Sequence, residues 1–130
     1  MLVIDASVLV GWVMSDETGM DLPALAAKHE DIVAPWLLWA ELRNILIVSE
    51  RRGRIPIGSA EQITDAVDAL GIALDTAPAS AVVLGLARRH RLTVYDALYL
   101  ELALRHGAVL ASLDTDLLTA AHAEAVLVAD

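Results

Sequence analysis

Four carboxylates open the question of chemistry: Asp5, Glu41, Asp96 and Asp114, each at or soon after a point where an apolar run gives way to a helical pattern. Like charges that converge on one site raise one another's pKa unless a cation sits among them. The chain has no cysteine to supply thiolates, and its four histidines (His29, His90, His106, His122) are scattered without ligand spacing. An all-oxygen donor set suits a hard cation, Mg²⁺ or Mn²⁺. Such a pocket fits phosphodiester hydrolysis, where metal lowers the pKa of water and offsets charge at phosphorus. No nucleophilic side chain and no organic cofactor is then required.

Each acid also has a local explanation. Asp5 could cap the first helix, and Asp114 the last. Asp96 stands three residues after Thr93, a capping-box spacing. Glu41 differs, because its helical neighbours Leu37, Leu38, Ile45 and Val48 form an apolar stripe. That spacing points Glu41 toward the core side, where an unpaired carboxylate costs several kcal/mol, on the order of the penalty for any buried charge. An arginine or a metal would compensate it; a place at the stripe's edge, with reach to solvent, would make compensation unnecessary.

The elements that must position these groups alternate from end to end. Apolar runs predict strands over 2–4, 31–34, 72–74, 108–111 and 125–128. Helical patterns fill 6–14, 21–30, 36–52, 60–70, 79–90, 93–106 and 116–123, with a polar loop over 15–19. Pro35 ends the second strand, Gly53 and Gly71 close helices, and Ser59 is placed to cap the helix over 60–70. The strands are continuously apolar, as in a sheet covered on both faces. The fold class is therefore α/β, with a mostly parallel sheet flanked by helices. In such a sheet strand C-termini and helix N-termini share one edge, where ligands bind. All four acids map to that edge.

Composition narrows the classes. One domain over 1–130 is expected from the length. Although 57% of the chain is apolar, no run reaches the roughly 18 residues of a membrane span. The N-terminus lacks the basic region and cleavage site of a signal peptide, so a cytoplasmic location is expected. A net charge of −9 argues against holding nucleic acid by bulk electrostatics, though not against a nuclease whose acids bind metal. Two basic patches, Arg51/Arg52/Arg54 and Arg88/Arg89/Arg91, could touch phosphates or simply complement helix C-termini. Asp114-Thr115-Asp116-Leu117-Leu118 fails as an aspartyl-phosphate loop at Leu118, and no GxGxxG or GxxxxGK[ST] occurs.

Four stretches carry a resemblance: Val3-Ile4-Asp5-Ala6-Ser7-Val8-Leu9, Trp39-Ala40-Glu41-Leu42-Arg43-Asn44, Thr93-Val94-Tyr95-Asp96-Ala97-Leu98-Tyr99 and Leu110-Ala111-Ser112-Leu113-Asp114. In order and spacing the chain resembles PIN domains, and most of all the bacterial VapC-type toxins. The resemblance implies a three-layer α/β/α sandwich and Mg²⁺-dependent ribonuclease activity. It also implies a cognate VapB-like antitoxin and a homodimer. Asp5, Glu41, Asp96 and Asp114 would be the acidic quartet, Asp5 and Asp96 holding metal and the other two doing so directly or through water. Ser7 and Ser112 would be supporting hydroxyls, Ser112 standing where Thr is usual, and Asp116 is an extra acid of open role. The alternatives are a housekeeping RNA-processing or DNA-directed nuclease and a non-catalytic PIN-like binding module; the latter should have lost an acid. An acidic pocket also accepts a guanidinium, so an inhibitory partner should bring an Arg or Lys to Asp5, Glu41 and Asp96. Apolar contacts would come from Trp12, Trp36, Trp39, Leu37, Ile47 and Val48.

Overall fold

A computed structural model describes residues 1–14 and 19–130; the loop expected over 15–19 lies, apart from Gly19, outside them. The elements run β1 (Leu2–Ile4), α1 (Ala6–Val13), α2 (Leu22–Ala26), β2 (Ile32–Pro35), α3 (Leu37–Arg51), α4 (Ser59–Asp68), β3 (Ala73–Asp75), α5 (Ser80–His90), α6 (Val94–His106), β4 (Val109–Ala111) and α7 (Thr115–Ala123). The four strands form one sheet in the order β3-β2-β1-β4, with every neighbouring pair parallel. Helices flank it to give the three-layer α/β/α fold. No helix among the described residues is long and apolar enough to cross a membrane.

The strand order carries a consequence for the site. From β1 the chain steps outward to β2 and β3, then returns to lay β4 on the other side of β1. The order reverses between β1 and β4, and such a switch point opens a crevice at the strand C-termini. β1 and β2 are wholly buried and β3, at the sheet edge, is largely exposed.

At the centre lies α6, which packs across β1, β2 and β4 as well as α5 and α7. Seven consecutive residues, Ala97 to Ala103, are buried, which a helix allows only when it is covered nearly all round. That run contains a charge, Glu101, only 2% exposed. Its carboxylate accepts two hydrogen bonds from Arg105, one turn on, and one from the Ala79 amide. Arg105 also forks onto both oxygens of Asp75 at the end of β3, at 2.9 and 2.7 Å.

Several boundaries differ from the sequence reading. The strand expected over 125–128 is a single bridge, Leu110 to Val128, because Ala125 takes a left-handed turn (φ 58°) and leaves few residues to pair. Helix α2 is half the expected length. It unwinds through tighter bonds, from the amide of Lys28 to Leu25 O and from that of His29 to Ala26 O. Pro35 is the last paired residue of β2 rather than its stop: it lacks an N–H, and the next amide, of Trp36, reaches Asp75 O instead. Ser59 does not cap α4. Gly58 holds the cap position in a left-handed conformation (φ 91°), and Glu50 of α3 takes the amides of Gly58 and Ala60.

Candidate active site

Asp5 emerges directly from β1 and is 5% exposed. It caps α1, accepting from the Val8 amide at 3.2 Å. Two hydroxyls also donate to it: Ser7 Oγ to Oδ1 and Ser112 Oγ to Oδ2, both at 2.5 Å. Each serine accepts in turn from the chain after β4, Ser7 from the Leu113 amide and Ser112 from that of Asp114. The turns that follow β1 and β4 are thereby stitched together around one carboxylate. Asp114 caps α7, its Oδ1 accepting from Leu117 N at 3.0 Å.

Asp96 is half-buried in the first turn of α6. Thr93 Oγ1 accepts from its amide at 3.1 Å, so one half of the expected capping box is formed. The Asp96 carboxyl itself meets the Thr93 hydroxyl and lies in the field of Asp114, Asp5 and Glu41. Glu41, on α3, lies beside the buried stripe Leu38, Leu42, Leu46 and Ser49 rather than within it. It is half-buried, and its Oε1 accepts from Tyr99 OH at 2.6 Å. Within the chain its partner is a phenol, a neutral donor that the sequence reading missed. The available signal was spacing: Tyr99 stands one turn after Asp96, on the same helix face.

The electrostatics follow from burial. Desolvation raises the pKa of Asp5, against the hydroxyls of Ser112 and Ser7 and the Val8 amide, while the charge of Asp114 raises it further. Burial also raises Asp96, and the charges of Asp114, Asp5 and Glu41 add to the rise. Tyr99 is pushed above its usual range by burial and then by its bond to Glu41. The four carboxylates thus share one field, and the donors that reach them are hydroxyls and backbone amides. Among the described residues no three acidic or histidine side chains are set around one point ready for an ion.

The remaining residues of interest lie outside this group. Asp116 is exposed in the first turn of α7. Arg51, Arg88 and Arg89 occupy last helical turns, favourable to the helix dipole and at the helix ends away from the acids. Arg89 and His90 both hold Glu124 at 2.7 Å. Trp36 (46%) and Trp39 (55%) are exposed, as is Ile47, and Arg43 stacks over Trp39 at 3.9 Å from the ring centroid.

Comparison with known proteins gives the frame for these observations. No curated relative matches the chain. Among solved structures, PAE2754 from Pyrobaculum aerophilum is 27% identical over 92% of this chain and 83% of its own, with a TM-score of 0.69. FitAcB from Neisseria gonorrhoeae is 19% identical over 100% of this chain and 97% of its own, TM-score 0.68. FitAB bound to the IR36 DNA fragment is 18% identical over 99% and 94%, TM-score 0.70. At the identities of the last two, the likeness speaks for the fold alone. PIN domains are generally nucleases, and PIN nucleases generally use divalent metals. The PIN domain family matches residues 2–123, from β1 through α7 and with Asp5, Glu41, Asp96 and Asp114 inside the match, and the chain belongs to that family.

Proposed function

We propose that the chain is one PIN domain acting as a metal-dependent endoribonuclease, the toxin of a cytoplasmic toxin–antitoxin pair. The observation that carries this reading is the group of carboxylates at the switch point, with Asp5 and Asp96 raised in pKa and donors that are hydroxyls and amides. A site of this kind is electrostatically unfinished. The donor chemistry fits Mg²⁺ or Mn²⁺, because it is all oxygen and carries charge that a hard cation would neutralise. Asp5 and Asp96 would hold the ion, with Glu41 and Asp114 reaching it through water; ligation would draw the acids together from where they now stand. Bound there, the ion would supply a water of lowered pKa and offset charge on the phosphate.

The chain's own groups have distinct tasks. Ser7 and Ser112 orient Asp5, and the α7 amide of Leu117 orients Asp114. Glu41 and Asp114 are the carboxylates that hold and aim water. Asp116, exposed on α7, is a helix-start residue. RNA is the substrate, a homodimer the working form, and a VapB-like antitoxin the partner. The fold likeness to FitAB, seen bound to a DNA fragment, supports a partner that places the pair on DNA. The antitoxin would inhibit by setting an Arg or Lys among Asp5, Glu41 and Asp96, with exposed Trp36 and Trp39 offering apolar contact.

The test is cleavage of RNA by the purified protein. Cutting with Mg²⁺ or Mn²⁺ that stops on adding EDTA is expected; undiminished cutting in EDTA would sink the metal mechanism. Expression in a bacterial host should arrest growth, and a small upstream partner should restore it and co-purify. Harmless expression with all four acids intact would favour a housekeeping nuclease.

A further inference from the structure

We infer that Tyr99 is a positioning residue for Glu41, committing one oxygen of that carboxylate so that the other is the one presented to the acidic edge. The inference rests on the nuclease reading above. Its basis is the single hydrogen bond from Tyr99 OH to Glu41 Oε1, 2.6 Å long and spanning 58 positions of sequence.

The two partners differ in freedom. Tyr99 is 2% exposed, inside the fully buried run of α6, so its ring is held by packing and only the hydroxyl can turn. Glu41 is half-buried on α3, with a long side chain whose rotamers are largely unrestrained unless something holds them. The rigid group therefore orients the flexible one. Tyr99 also rides one turn beyond Asp96, so the hydroxyl links the acid of α6 to the acid of α3. Helix α6 is itself fixed to the end of β3 by the Arg105 fork onto Asp75, and to the start of α5 by the Ala79 amide on Glu101. The register of Asp96 and the aim of Glu41 thus descend from one anchored helix.

Tyr99→Phe removes the hydroxyl and keeps the ring. We expect kcat on a single-stranded RNA oligonucleotide to fall about 10-fold, with KM changed less than about twofold, the pattern of a lost partner behind a ligand. Mn²⁺ affinity, titrated by EPR, should weaken several-fold while the melting curve stays near wild type. In a Glu41→Gln background the same substitution should cost no more than about twofold in either quantity, because its route of action has gone. Additive losses in the double variant, or loss of the fold in Tyr99→Phe, would assign the hydroxyl to structure alone and overturn the inference. A wild-type chain that takes Mn²⁺ but leaves RNA intact would overturn the nuclease reading only, with Mn²⁺ coupling still deciding Tyr99. A chain that takes no Mn²⁺ would overturn both.

Discussion

Two regions of this molecule gather carboxylates, and they have opposite electrostatic fates. At the end of β3, Asp75 and Glu101 share one guanidinium, and Arg105 hydrogen bonds hold Asp75 below the ordinary carboxylate range. Arg105 is itself raised by the same bonds. At the switch point, Asp5 and Asp96 are raised, because burial and neighbouring charge outweigh what serines, a threonine and an amide return. Burial alone does not separate them: Glu101 is at least as buried as Asp5. The partner separates them. A closed ion cluster is structure, whereas the acids at the switch point, met among the described residues by neutral donors, are the group we propose to take a cation from outside.

The comparison can be broken most sharply at Asp96. Asp96→Asn removes a charge from the open site but keeps the cap, since Thr93 is held through the backbone amide. RNA cleavage should fall by about 10²–10⁴-fold, the range for a positioned charged group, while the melting curve stays within a few degrees of wild type. Unfolding of Asp96→Asn, with residual folded material still active, would make it a capping residue only.

Arg105→Ala is the reverse experiment. It strands the buried Glu101 charge, which should cost about 3 kcal/mol by urea unfolding. Cleavage per folded molecule should change far less than in Asp96→Asn. An Arg105→Ala chain of wild-type stability would show that the closed cluster contributes nothing.

A smaller effect lies in pH. Asp75 has a folded-state pKa below its unfolded value, so its stabilisation is present above the unfolded value, about 3.9. It is lost as pH falls through the lowered folded value. Asp75→Asn should therefore flatten the acid limb of a stability–pH curve, by about 1 kcal/mol. Asp5 and Asp96 have the opposite sign: their contribution is full below the unfolded pKa and lost as pH rises through the raised folded value. Metal-free protein should accordingly gain stability on mild acidification before Asp75 reverses the trend. The smallest change is expected at Asp116, exposed beyond the edge. Asp116→Asn should shift stability by less than about 0.5 kcal/mol, and a large loss of cleavage would bring it into the site.

The sequence by itself determined what depends on neighbours a few residues apart. The caps Asp5, Thr93 and Asp114 all bond an amide three residues on, so their spacing was legible. Continuous apolar runs likewise announced a parallel sheet covered on both faces. Only the tertiary structure decided the pairings across distance. The order β3-β2-β1-β4 brings Ser112 to Asp5 across 107 positions, and no local pattern encodes which strand lies beside β1. Glu50 capping α4, Tyr99 steadying Glu41 and Arg105 reaching Asp75 follow the same rule. A side-chain partner of this kind is chosen by how packed elements fall against one another. For that reason the acids, and through the family resemblance the hydroxyls of Ser7 and Ser112, could be picked out from the chain, whereas the phenol that meets Glu41 became visible as a partner only in the fold.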